Sequence, residues 1–543
     1  MKNIILLITI LLIGNASIKA QENNFEVLKN LEIFELIYKN LDLYYVDAPS
    51  SGKLIKDGID AMLETLDPYT VYIPESRIED FRFMTTGEYG GIGAIIQKMD
   101  DGVYISEPYE NNPAQKAGLR AGDKLLKIEG KSVEGLSTSD VSTMLKGQKG
   151  TTIKVEFERN GEKMSTSITR DEIKIPDVPY TGMLDDEIGY VKLNSFTQTA
   201  SADVGKAIKD LKKQGMKKLI FDLRGNGGGL LVESVKIVNF FVENGIEVVR
   251  TKGRIEQQNR VYTTQFETID SQMPIVVLID GNSASASEIV SGSLQDLDRA
   301  VIVGTQSYGK GLVQQTKDLK YNAKLKLTIA KYYTPSGRCI QKLDYTHRDD
   351  LGSVDEVPDS LIQKFKTANG REVIDGRGIE PDIHVDLDEF AGITATLIQN
   401  FFIFKYATHY FYTHESIPPA RDFKVSDEMY QDFVSYLSDK EYEYSTRSEK
   451  VLDDLKKVAE NEQYFDEAKA EYEALLAKLK PSKEKDLLKF KDQIIRILGN
   501  EIVSRYYYEV GRIEENLFND RTIKEAISVL KDTDRYKKLL SGK

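Results

Sequence analysis

Two short segments carry the residues best suited to acyl-transfer chemistry. The first reads Asn282-Ser283-Ala284-Ser285-Ala286-Ser287-Glu288-Ile289-Val290 and follows an apolar run ending at Ile279. Small residues around Ser285 let another chain approach its hydroxyl, and a helix start sets that hydroxyl beside backbone amides able to hold an oxyanion. The same residues also serve a purely structural end, because Ser285 followed three places later by Glu288 is a capping box. The second segment, Tyr308-Gly309-Lys310-Gly311-Leu312-Val313-Gln314, follows the apolar run Ala300 to Val303. Its glycines let Lys310 enter a tight site. Gln314, four places on, shares a face with Lys310 in helix or strand, where its amide is able to orient an amine. A lysine between glycines is equally an ordinary solvated turn.

A serine becomes a nucleophile only with a base, usually histidine. The chain has 4 histidines, and none sits in a segment resembling a triad element. Lysine takes the role where burial lowers its pKa towards the working pH. Two glycine-rich rivals fail on spacing. Gly304 to Lys310 follows the phosphate-loop pattern up to its lysine, but Gly311 stands where a magnesium-binding hydroxyl belongs. Asp222-Leu223-Arg224-Gly225-Asn226-Gly227-Gly228-Gly229-Leu230 lies between a strand and a helix, but Leu230 replaces the third glycine of a dinucleotide fingerprint. Such a turn still presents amides to an oxyanion. Cys339, the sole cysteine, has His347 nearby in sequence but no second orienting group. No metal and no cofactor are expected.

The elements that must position these residues alternate from about Asp171 to Asp386. Strands are predicted at 189–193, 218–223, 275–279 and 300–303, and helices at 201–214, 230–244 and 286–297, which is α/β wording. Before them, residues 86–170 form short β-type runs between turns such as Asp101-Gly102 and Asn160-Gly161. Residues 25–85 repeat Leu31, Phe34, Ile37 and Leu41 at helical spacing, and 389–543 reads as a Lys/Glu-rich helical appendage. The start, Met1-Lys2-Asn3, an apolar run to Ile13 and small or polar residues to Ala20, has the pattern of a secretory signal spanning 1–20. One cysteine excludes an intramolecular disulfide framework. A formal net charge of −13 argues against nonspecific nucleic-acid binding.

Taken in order, Asp222-Leu223-Arg224, Gly227-Gly228-Gly229, Ser285-Ala286-Ser287-Glu288, Gly309-Lys310-Gly311 with Gln314, Tyr333-Thr334-Pro335-Ser336-Gly337-Arg338 and Gly376-Arg377-Gly378-Ile379-Glu380-Pro381-Asp382 resemble the C-terminal processing (tail-specific) serine peptidases. The resemblance covers about residues 25–390. It implies a crotonase/ClpP-like peptidase core over 171–388, with Ser285 as nucleophile, Lys310 as general base, Gln314 orienting the lysine, and Gly228 and Ala286 as oxyanion donors. Gly90-Gly91-Ile92-Gly93-Ala94 and Asn112-Pro113-Ala114-Gln115-Lys116-Ala117-Gly118-Leu119-Arg120-Ala121-Gly122-Asp123 resemble a PDZ domain over 86–170. Gly91, Ile92 and Gly93 would then take the carboxylate of a substrate's tail while the tail pairs with the sheet edge.

The expected protein is thus an exported serine endopeptidase of the periplasm or cell envelope, acting on proteins captured by their C-terminal tails. Peripheral membrane association and homo-oligomerisation stay open, and no nucleic acid is expected. The rival of another class is a catalytically silent PDZ-bearing scaffold or chaperone. Residues 342–375 read as a charged, loop-like insertion near the substrate path, and the helical tail carries no motif to transfer.

Overall fold

The computed structural model describes residues 25–99, 101–349, 352–386 and 389–542, so the predicted signal segment lies outside the described residues. Two compact units divide the chain: one gathers Met1–Glu75 with Gln314–Thr328, the other Ser76–Val313 with Ile329–Lys543.

In the first unit the predicted opening helix forms over 25–44 and a second over Ser51–Glu64. Asp67 Oδ1 accepts the N–H groups of Tyr69 and Thr70, each at 2.8 Å, which turns the chain into the strand Val71–Ile73. That strand pairs antiparallel with residues Lys324–Lys326. The Thr328 N–H donates to Thr70 Oγ1 at 3.1 Å. No helix among the described residues is long and apolar enough to cross a membrane.

The second unit holds most of the remaining elements. Strands Glu88–Gly91 and Asp171–Lys174 pair antiparallel where the chain enters and leaves the β-rich module. Inside it, Ala94–Met99, Gly102–Pro108, Lys124–Ile128, Thr152–Arg159 and Glu162–Thr169 form a sheet in that order, with Ala94–Met99 at one edge and helix Thr138–Leu145 packed on the core. Arg512 pairs with Glu107 at 2.5 Å and Gln115 Nε2 donates to Tyr508 Oη at 2.6 Å, which seats the module on the C-terminal helices.

The α/β expectation holds closely. Strands Ile188–Lys192, Lys218–Asp222, Ile275–Ile279, Val301–Gly304 and Ile383–His384 run parallel in that order, with Tyr180–Met183 antiparallel at the edge. Helices Ala200–Lys213, Leu231–Asn239 and Ala286–Asp296 make the crossovers. Their apolar stripes cover one face of the sheet with Val204, Ile208, Ile237, Ile289 and Leu294. The other face, Ile220, Val276, Leu278, Val301 and Val303, is covered by Ile523, Ala526, Val529 and Leu530 of helix Arg521–Lys531 and by Tyr536 of helix Thr533–Leu540. The end of the chain therefore completes the central core. A strand such as Ile275-Val276-Val277-Leu278-Ile279 is continuously apolar because both of its faces are buried. Each such side chain contributes about 1.5–3 kcal/mol relative to exposure. The helices between, from Gly392–Gln399 to the first half of Lys491–Leu517, build a separate core around Tyr406, Tyr430, Phe433, Leu498 and Ile502.

Residues 342–375 depart from the loop-like expectation. Among the described residues, Leu343–Arg348 pairs antiparallel with Val354–Glu356, and Lys364–Lys366 with Glu372–Ile374. Their charged text misled because exposed two-stranded ribbons need no apolar face.

The Tyr333 to Arg338 motif is structural. Arg338 is 1% exposed and donates to Asp296 at 2.8 Å and to Gln295 at 2.7 Å, while the Ser336 N–H takes the other Asp296 oxygen at 3.0 Å. Arg338→Ala strands a buried carboxylate. Denaturant unfolding of the variant is expected to show a loss of about 3–5 kcal/mol, and a loss below about 1 kcal/mol would mean that Asp296 regains a partner or water.

Candidate active site

Three turns converge because they leave the carboxyl ends of three adjacent parallel strands, where α/β sheets place their ligands. Strand Lys218–Asp222 feeds the triple-glycine turn, Ile275–Ile279 feeds Ser285, and Val301–Gly304 feeds Lys310.

Ser285 stands between its strand and the helix Ala286–Asp296 with φ 57° and ψ −111°, a conformation that costs a residue with a Cβ on the order of 1–3 kcal/mol. A strained serine on a sharp strand-to-helix turn is how nucleophile elbows expose a hydroxyl. Ser285 is partly exposed while Ala284 and Ala286 on either side are buried. Glu288 Oε2 accepts the Ser285 N–H at 2.8 Å, the carboxylate half of the predicted capping box. No side-chain hydrogen bond from Ser285 caps the helix among the described residues. Ala286 opens that helix, and its N–H belongs to the first turn, which has no acceptor within the helix.

Glu288 reaches further than a cap. It is fully buried, and its Oε1 accepts Ser307 Oγ–H at 2.6 Å and the Gly309 N–H at 2.7 Å. Its Oε2, already holding Ser285, also accepts the Lys310 N–H at 2.9 Å. One carboxylate oxygen thus holds the backbone amides of both predicted catalytic residues. Burial pushes the Glu288 carboxyl upward, and the bonds from Ser307, Lys310, Ser285 and Gly309 oppose that shift by favouring the ionised form. Lys310 is partly exposed. Gly309 has φ 86°, and a Cβ there would lie 2.4 Å from Lys342 Cβ, so only glycine lets residues 342–375 begin against the lysine turn. After Lys310 the chain enters the strand Leu312–Asp318 and no helix, which removes the phosphate-loop reading on context as well as spacing.

Gly228 meets the serine turn. A Cβ at Gly228, where φ is +97°, would lie 2.8 Å from Ser285 Cβ and 2.9 Å from the Ala286 nitrogen. Its N–H, however, donates to Asn226 Oδ1 at 2.8 Å. Asp222 and Arg224 are structural: Arg224 pairs with Asp222 at 2.7 Å and with Asp520 at 2.7 Å, joining the turn to the cap of helix Arg521–Lys531. Arg224, with further bonds from Tyr190 and Lys192's charge, holds the Asp222 carboxyl well below the usual range despite its burial.

Gln314 lies in the other compact unit, where its Nε2 donates to Thr328 Oγ1 at 3.2 Å. That fixes the amide so that Oε1 faces away from Thr328 as an acceptor. Burial pushes the Cys339 thiol upward, away from thiolate, and His347 is exposed on Asp344 at 2.7 Å. The pair offers no activated nucleophile.

With this geometry established, comparison with known proteins is informative. The chain is 38% identical over 330 residues to a carboxy-terminal-processing protease of Bartonella bacilliformis, covering 60% of this chain and 75% of that one. It is 30% identical over 401 residues to a probable CtpA-like serine protease of Staphylococcus aureus, covering 74% and 69%. The profile of peptidase family S41 matches residues 187–347. The chain belongs to the carboxy-terminal-processing serine proteases of peptidase family S41. A PDZ domain profile matches 90–169, and one described as the C-terminal helical domain of a probable PDZ-protease matches 393–530. The helical tail is therefore a domain with relatives of its own, which the sequence reading did not find. Among solved structures, a photosystem II D1 C-terminal processing protease aligns at 28% identity and TM-score 0.36, over 65% of this chain and 92% of that one.

In this S41 protease the segment Gly91-Ile92-Gly93 leads into the PDZ module. Gly91 ends the strand Glu88–Gly91, Ile92 is buried in the module's core, and Gly93, at φ +71°, turns the chain into the edge strand Ala94–Met99. The Ile92 and Gly93 carbonyls are taken by the N–H groups of Ala114 at 2.7 Å and Tyr109 at 2.9 Å. Helix Thr138–Leu145 carries Val141, Met144 and Leu145 against the same core. An open strand edge beside a helix is the arrangement that a peptide extends by β-augmentation.

The decisive test of the convergence is Gly228→Ala, whose new Cβ has no room between Ser285 and Ala286. Labelling of Ser285 by a fluorophosphonate is expected to slow on the order of 100-fold or more, the scale of a displacement near 1 Å at a reacting centre. Unchanged labelling would place the glycine turn outside the site.

Proposed function

We propose that this protease cleaves captured protein chains with a Ser285–Lys310 dyad, the PDZ module holding the substrate's C-terminal tail. The observation that carries the reading is the Glu288 carboxylate oxygen shared by the amides of Ser285 and Lys310, beneath a serine in a strained elbow.

Ser285 Oγ attacks the scissile carbonyl and Lys310 Nζ, neutral at that moment, takes its proton. Lys310 returns that proton to the departing amine, leaving an acyl ester on Ser285. A water then gives a proton to Lys310 and attacks the ester, and Ser285 recovers its proton as the acid departs. The Ala286 N–H is the first oxyanion donor, and its helix start supplies the partial positive charge. Gly228 serves as the second donor once its N–H leaves Asn226. The resemblance assigns the orienting role to Gln314. Export to the cell envelope completes the reading, supported by the charged, apolar and small-residue order of residues 1–20.

Purified Ser285→Ala and Lys310→Ala are both expected to lose cleavage of a disordered protein by several orders of magnitude. Ser285→Ala should still bind a peptide matching the substrate's tail. Substrates differing only in their last residues should separate in KM for the wild type. Because the base must be neutral, the wild-type rate should rise with pH through a single titration. Persisting cleavage by Ser285→Ala, or a rate flat from acid to alkaline pH, would overturn the dyad.

A further inference from the structure

Tyr332 is 1% exposed, and its ring packs in the main core beside Ile289, Val290 and Ile340. Its strand is held by pairing with Thr251, and its own N–H donates to the Gly311 carbonyl at 2.9 Å. The hydroxyl at the end of this fixed ring points at two backbone carbonyls. It donates to Lys310 O at 2.6 Å and to Ser285 O at 3.1 Å. Those are the two residues whose N–H groups meet on Glu288 Oε2.

The consequence for Ser285 is specific. Its N–H is taken by Glu288 and its carbonyl by Tyr332 and the Ile289 N–H at 2.9 Å, so both ends of the strained residue are tied. With ψ at −111°, the carbonyl direction sets the elbow. Without the phenol, Ser285 O would keep only the Ile289 N–H, leaving the turn freer to relax towards an ordinary cap, away from the lysine turn. Lys310 is tied in the same way, its N–H to Glu288 and its carbonyl to the same phenol. One hydroxyl proton is shared between the two carbonyls, so the phenol measures their separation as Glu288 measures that of the amides.

We propose that Tyr332 is a positioning residue for proteolysis: its hydroxyl clasps the Ser285 and Lys310 backbones at the spacing that proton transfer requires. The inference rests on the dyad reading above and goes beyond it. Loss of packing cannot imitate it, because Tyr332→Phe keeps the ring and removes only the hydroxyl.

The test is steady-state cleavage by Tyr332→Phe, with fluorophosphonate labelling and thermal unfolding measured on the same protein. The expected result is a fall in kcat on the order of 100-fold with KM within twofold, and a parallel fall in labelling rate. The unfolding midpoint should stay well above the assay temperature. Glu288→Gln should lower kcat as well, and the double variant should lose less than the product of the two single effects, since both side chains hold the same peptides. A kcat within twofold of wild type for Tyr332→Phe would overturn the proposal, as would a loss appearing wholly in KM. Ser285→Ala and Lys310→Ala run beside it keep the two ideas apart. Cleavage by either control refutes the dyad, whereas inactive controls with a fully active Tyr332→Phe refute only the clasp.

Discussion

Everything distinctive about this site depends on the burial of one carboxylate. Glu288 is an acceptor-only group withdrawn from water, so each of its lone-pair directions must be met by a donor or the burial is unaffordable. The donors that meet it come from two turns: Ser285 from its own, and Ser307, Gly309 and Lys310 from the next. Neither turn could satisfy its amides alone, since Ser285 faces a helix start and Gly309-Lys310 precede a strand with no carbonyl to receive them. The electrostatic requirement of one side chain thereby becomes a geometric constraint between two loops. Ser307 extends it, because its hydroxyl also accepts the Ile379 N–H at 2.7 Å, tying in the Gly376 to Asp382 motif. The strand order makes this cheap: parallel neighbours lie about 4.8 Å apart, so turns at their carboxyl ends are already within reach of one carboxylate.

That sheet in turn needs covering on both faces, and the cover comes from opposite ends of the sequence. The crossover helices follow their strands directly and are dictated by right-handed βαβ connection. The second face waits for helices Arg521–Lys531 and Thr533–Leu540, more than two hundred residues after the strands they cover. The bond from Arg224 to Asp520 then has a clear physical meaning. It links the glycine turn of the site to the N-cap of the covering helix, so the last elements of the chain bear on the first turn of the active site. A truncation that spared every motif would still uncover Ile220, Val276 and Leu278.

Local pattern made the α/β core legible, and position limited the rest. The apolar runs at 218–222, 275–279 and 301–304 are short, bounded by turns and too apolar for exposed strands, so their parallel pairing could be inferred. Ser285, Lys310 and the glycine turn were found because each is a compact motif, and their order carried the family resemblance. Glu288 was read correctly as a partner of Ser285 at three residues' distance, but its bonds to Ser307, Gly309 and Lys310 span about twenty residues and leave no periodic trace. Tyr332 was invisible for the same reason: an aromatic in a Tyr-Tyr-Thr-Pro run looks like core, and most of its surface is core. The helical region beyond 389 was read from its pattern, but its match to a known domain over 393–530 escaped, because amphipathic helices share a pattern whatever they pack against. Gly228 was read as an oxyanion donor from the resemblance alone, and its N–H partner, Asn226, lies only two residues away, where no spacing rule pointed to it.

The two readings of Ser285, cap and nucleophile, turn out to describe one arrangement. A side-chain cap ordinarily places the residue in extended backbone and turns its hydroxyl back onto the helix amides. Here φ is positive and Glu288 supplies the carboxylate half of the box. The helix is still begun, and the Ala286 N–H of its first turn still lacks an acceptor within it. An amide so placed is what an oxyanion needs. Strain at Ser285 is therefore what sets this turn apart from an ordinary helix cap. It persists because Glu288 holds one of the serine's peptide groups, and the Ile289 N–H together with Tyr332 holds the other.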